Sequence, residues 1–193
     1  MPTIVSFYQH FPDEAPPMNL SVFEQPGYTA AENTHRDERC FEADACEVSD
    51  GDGQTVLTLD VRIRPRGGEI EVFPRVKLTV LREGAPFQLR RVELCAGDAQ
   101  YTILPDSVQR CTLPGGCLES LAIPLGKVGM KMLRKAAEAE DAHWLIHGAQ
   151  DVRTLTLTPP QKAAILRFCR DCDESAVTYQ PAFLWYKDYC TKD

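Results

Sequence analysis

Val152-Arg-Thr-Leu-Thr-Leu-Thr-Pro-Pro-Gln-Lys-Ala-Ala-Ile-Leu-Arg-Phe-Cys-Arg-Asp-Cys172 changes period halfway along, and that change sets the fold class. Thr154 to Thr158 alternate polar and apolar residues, the pattern of a half-buried strand. Thr158 then reads as a helix N-cap. Pro159 takes the first helical position, where its missing N–H costs nothing, and Gln161 completes a Thr-x-x-Gln capping box. Ile165, Phe168, Cys169 and Cys172 follow at the i, i+3, i+4, i+7 spacing of an amphipathic helix reaching about residue 173. A strand thus feeds a capped helix that needs an apolar surface beneath it.

Upstream, Ala142 to His147 reads as a strand ended by Gly148 and paired with 152–158 in a hairpin. Lys127 to Asp141 has helix-forming composition, with Val128, Met132, Leu133 and Ala136 on one side. The strongest alternation lies earlier. Leu57, Leu59, Val61 and Ile63 face one way, and Ile70, Val72, Val76, Leu78 and Val80 answer after the Pro65-Arg-Gly-Gly68 turn, so 56–82 reads as a long antiparallel hairpin. Pro74 implies an edge position or a bulge there. Phe87 and Leu89 are out of phase with Val92 and Leu94, which predicts a bulge at Arg90-Arg91. Short strands are expected at 99–104 and around Leu121, Ile123 and Leu125, with further strands at 3–8 and Val177–Trp185. Phe11 to Cys46 reads as loops with at most short strands, and Ser49 to Gly53 as a turn.

Short turns between sequential strands favour antiparallel pairing. The expected class is α+β and β-rich: mainly antiparallel sheet or sandwich, covered by two helices at about 127–141 and 159–173. The chain of 193 residues is read as one domain, residues 1–193. Its acidic, irregular region 1–53 packs on or extends from a β-rich core, 54–193.

The formal net charge of −7 disfavours binding to nucleic-acid phosphate or to an anionic membrane surface. Residues 1–53 hold eleven acids against Arg36 and Arg39, whereas the remainder is slightly basic. Such a region is either a solvated face or an arm that docks on a basic surface, its own or a partner's. No apolar run is long enough to span a bilayer. No signal segment is evident, so a cytoplasmic location with free thiols is expected for the eight cysteines.

Candidate chemistry is sparse. Cys169-x-x-Cys172 falls near a helix C-terminus, where the dipole raises rather than lowers a thiol pKa, and both sulfurs lie on the apolar stripe. They read as packing. If zinc is bound, the ligand set proposed is Cys169, Cys172, Cys111 and Cys117, the last two flanking a turn across which they could approach one another. His143 and His147 have a zinc-like spacing only on a helix. On the strand read here they sit about 13 Å apart. Asp50-Gly-Asp-Gly53 fails the calcium-loop register. Gly126-Lys127 lacks the rest of a phosphate loop, and no nucleophile signature is present.

Two surface features remain. Lys127, Lys131 and Arg134 crowd the start of the first helix, against its dipole, and form a candidate anion site. Tyr179, Phe183, Trp185, Tyr186 and Tyr189 form an aromatic tail suited to partner binding. The resulting expectation is a non-enzymatic protein-interaction module with a protein partner, no cofactor, no direct nucleic acid and no membrane. Two alternatives stand beside it: a zinc-binding metalloprotein or hydrolase with a Cys/His site, and an acidic inhibitor that imitates nucleic-acid charge.

Overall fold

The computed structural model describes residues 19–33, 38–50, 52, 54–66 and 69–175. The expected strands at 3–8 and Val177–Trp185 lie outside them. The strands are β1 (Tyr28–Asn33), β2 (Glu38–Ala43), β3 (Val48–Ser49), β4 (Thr55–Arg66), β5 (Glu69–Glu83), β6 (Arg91–Ala96), β7 (Ala99–Ile103), β8 (Gln109–Leu113), β9 (Gly116–Pro124), β10 (Ala142–His147) and β11 (Val152–Thr156). The helices are α1 (Lys127–Glu138) and α2 (Pro159–Glu174). The class is the expected one, α+β and β-rich.

The described residues form two antiparallel sheets. The first runs β1-β2-β4-β5-β9-β8, with β3 also on β4, and the second runs β11-β10-β6-β7. The long hairpin is their centre, with Leu57 opposite Leu78, Leu59 opposite Val76 and Ile63 opposite Val72. Leu57, Leu59, Val76 and Leu78 are each about 1% exposed, and burying a side chain of this size stabilises by about 2 kcal/mol. From the second sheet Val92, Leu94, Tyr101, Trp144, Ile146 and Leu155 join the same hydrophobic cluster. α1 lies against β6, β7 and β10, and α2 lies on α1 and on the short 3-10 turns Leu20–Phe23 and Asp44–Cys46.

The capping box forms as the sequence implies. The Thr158 amide donates to Gln161 Oε1 at 2.9 Å, and the Gln161 side-chain amide donates to Glu47 O at 2.7 Å, tying the start of α2 to the segment before β3. Ile165, Phe168, Cys169 and Cys172 are all buried. The reversed charge of α1 has a structural answer: Lys162 of α2 donates to the carbonyls of Ala139 (2.8 Å) and Glu140 (2.7 Å), placing a cation on the C-terminal end of α1. That helix stops at Glu138, three residues earlier than its composition implies.

Two expectations need correction, and a third is narrowed. Residues 28–33, 38–43 and 48–49 are strand rather than loop, and Phe41, Ala43, Cys46 and Val48 belong to the core. The alternation is faint there because β2 carries Glu38, Cys40 and Glu42 outward and few large apolar residues inward. Of the two places expected for Pro74, the structure gives a local edge position and not a bulge. β5 is paired to β4 throughout, but its pairing to β9 covers only Arg75 to Glu83, and Pro74 sits just past that limit. Nor is there a bulge at Arg90-Arg91. Residues 86–90 are not strand, although the Arg90 amide still bonds to His147 O of β10, and the phase shift is absorbed by Gln88, whose φ of 57° is left-handed.

Candidate functional site

Among the described residues β8 ends the first sheet, and all five of its residues are exposed. Along an edge strand, alternate N–H and C=O groups point away from the sheet, so β8 offers a ladder to another chain. Register assigns its two faces. Cys111 pairs with Leu118, which pairs with Leu81, so these three form a row on the outer face. Leu81 and Leu113 are exposed large apolar residues at this corner. Arg110 pairs with Glu119, which pairs with the fully buried Val80, so Arg110 belongs to the inner face.

Glu119 holds the site together. Its side chain has no exposure, and it accepts the amides of Gln88 (3.0 Å) and Leu89 (2.7 Å) and the Arg110 Nε–H (2.9 Å). Burial alone would raise its pKa. The Leu89 amide, the Arg110 guanidinium and the Gln88 amide outweigh that and hold the carboxyl below its usual range. The bonds pin the 86–90 segment in its left-handed turn. Beside it opens a shallow, wide-mouthed cleft of about 500 Å³ lined by Pro86, Gln88, Leu89, Arg90 and Arg110. Glu119 neutralises Arg110, while the exposed Arg90 side chain has no partner among the described residues, so the cleft carries a net positive charge.

The sequence candidates scatter. Of the anion-site residues, Lys127 and Lys131 are exposed on the first turns of α1, but Arg134 grips Asp173 of α2 at 2.7 and 2.6 Å. It clamps the helix pair. Tyr179, Phe183, Trp185, Tyr186 and Tyr189 lie outside the described residues. Cys169 and Cys172 are buried under α2 beside Cys46; burial pushes Cys46 and Cys169 up to about 12 and Cys172 well above its ordinary value. Cys111 and Cys117 do flank a hairpin, but the register sets Cys111 opposite Leu118 and Cys117 opposite Thr112. They point to opposite faces and do not approach across it. Among the described residues no three Cys, His, Asp or Glu side chains are grouped to hold a metal.

His143 and His147 stand on β10, with Trp144 and Ile146 turned inward. They serve separate carboxylates. His147 Nε2 lies 2.6 Å from Glu93 and His143 Nδ1 lies 3.5 Å from Asp141. Cys95 is directly opposite His143, a nucleophile-and-base juxtaposition. Burial and then the charges of Glu93 and Asp141 raise the Cys95 pKa, however, which suppresses the thiolate.

The acidic region meets its basic counterpart within the chain. Glu38 pairs with Arg62, Glu42 with Lys77, Glu32 with Arg39 and Asp50 with Arg153. The cations sit on β2, β4, β5 and β11 rather than at the start of α1. No helix among the described residues is long and apolar enough to cross a membrane. No protein-family model, curated protein or solved structure matches the chain.

Proposed function

We propose that this chain is a non-enzymatic protein-interaction module that receives an extended segment of a protein partner along the outer edge of β8. The single observation behind this reading is a strand that terminates the sheet among the described residues and is exposed over all five positions, without proline, lysine or bulge and with Arg110 as its one charged residue. Strand addition draws affinity from main-chain hydrogen bonds and selectivity from the flanking side-chain surfaces. Here those surfaces are the Leu81–Leu118–Cys111 row and the arginine-lined cleft. The ion pairing of Glu32, Glu38, Glu42 and Asp50 within the chain disfavours the alternative of nucleic-acid charge mimicry, since those carboxylates are already matched.

Lysines at Cys111 and Leu113 test the reading. Both positions are exposed, so the double variant should keep the wild-type melting temperature. It should lose the partners that the wild type captures. Retention of every partner by Cys111→Lys/Leu113→Lys overturns the edge reading. Loss of those partners in Trp185→Ala/Tyr186→Ala instead assigns the contact to the aromatic tail.

A further inference from the structure

Resting on that reading, we infer that the segment added to β8 carries an acidic side chain, which enters the Arg90–Arg110 cleft while its neighbours on either side cover the apolar row. The inference comes from the two faces of β8. A strand laid beside β8 sends alternate side chains to opposite faces, each about 5 Å from the β8 residue it opposes. On the outer face it meets Cys111 and Leu113, which carry no charge. On the inner face it meets Arg110 and Thr112, with the cleft alongside.

Charge within the cleft selects the residue that enters. Glu119 accepts two backbone amides and Arg110, and among the described residues it makes no bond to Arg90. Arg90 is fixed at its backbone, where its amide donates to His147 O at 2.8 Å, so the guanidinium is presented from an anchored point. A carboxylate from the added strand can accept from Arg90 and from the remaining Arg110 N–H groups, a geometry for which guanidinium is well suited. A lysine there meets two cations. The other edge of the first sheet, β1, lacks this pairing of features. Its exposed Thr29, Ala30, Ala31 and Glu32 offer neither a large apolar side chain nor a basic cleft.

The test uses the full chain and a fluorescein-labelled peptide that alternates valine and threonine, with glutamate at its central cleft-facing position. Matched peptides carry glutamine or lysine there. Fluorescence polarisation should rank them Glu, then Gln, then Lys, with the Glu peptide about five-fold tighter than the Gln peptide, the size of one exposed ion pair. Arg90→Ala should abolish that preference and leave the Gln peptide unchanged. Equal binding of all three peptides overturns the acidic selectivity while strand addition stands. Binding of none removes the edge site and the inference together. Sedimentation as a dimer that cross-links through Cys111 makes a second copy the occupant and overturns the inference too.

Discussion

Asp60 and Arg75 face each other across β4 and β5, and the guanidinium forks onto the carboxylate at 2.8 and 2.5 Å, with side-chain exposures of only 1% and 11%. The same arginine donates to Cys40 Sγ at 3.2 Å. Flanked by Glu38–Arg62 and Glu42–Lys77, the pair is the most buried link in the row of charges that binds β2 to the central hairpin. Removing one member leaves the other buried without its counterion. Asp60→Ala should therefore cost about 3 kcal/mol or more. Asp60→Ala/Arg75→Ala should cost less than the sum of the two single changes, read from urea unfolding of all four proteins. Additive losses would show that the two side chains do not interact.

Glu119 predicts an acid-range dependence. Its folded pKa is held below the unfolded value of about 4.3. The folded state therefore favours the carboxylate. That contribution is fully present above the unfolded pKa and fades as pH falls through the folded one. Glu119→Gln should lower stability by about 2 kcal/mol at neutral pH, since the charge-assisted bonds to the Leu89 and Gln88 amides and Arg110 are weakened. It should also flatten the loss of melting temperature below about pH 4.5. An unchanged acid limb would remove Glu119 from the titrating set; Asp50, also held low against the pull of burial, by the Thr55 backbone amide and then other groups, would remain in it.

The core thiols predict the opposite limb. Cys46 and Cys169 are pushed up to about 12, and burial also raises Cys172 well above its ordinary value, against about 8.5 in an unfolded chain. Above about pH 8.5 the unfolded chain releases protons that the folded one keeps. Stability should then fall with rising pH, by about 1.4 kcal/mol per unit for each such thiol. A disulfide-exchange reagent should label the exposed Cys111 at once and Cys46, Cys169 and Cys172 only on unfolding. Prompt labelling of all four in native protein would contradict their burial.

Gln88 holds a left-handed conformation that favours glycine, at φ 57°. Gln88→Gly should be neutral to stabilising, by at most about 1 kcal/mol, because relief of strain offsets the added chain entropy. Gly148→Ala should behave differently. A Cβ there would sit 2.7 Å from Phe87 O and 2.9 Å from the Phe87 ring, which is fully buried and has no room to retreat. A loss of about 2 kcal/mol is expected. Thermal melts of the two variants should move in different directions, or by clearly different amounts.

Much of the framework was legible because it rests on periodicity and caps. The 55–83 hairpin, the 142–156 hairpin and the capped helix at 159 each announce themselves within about thirty residues. β1 and β2 did not, since their partners and counterions lie far along the chain and their own apolar content is small. Likewise the aromatic and lysine-rich stretches stand out by composition, whereas the β8 site has no local signature. Gln109 to Leu113 is an ordinary short segment until the sheet order leaves it at an end.

The sequence alone determined the central hairpin, the β10–β11 hairpin and the two helices, because side-chain period and terminal hydrogen bonding act over a few residues. Only the tertiary structure decided that Glu32, Glu38, Glu42 and Asp50 of the acidic region are paired within the chain, that Cys111 and Cys117 point apart, and that Glu119 anchors a turn thirty residues away. Those outcomes depend on strand order and register, where a shift of one residue exchanges the two faces of a sheet.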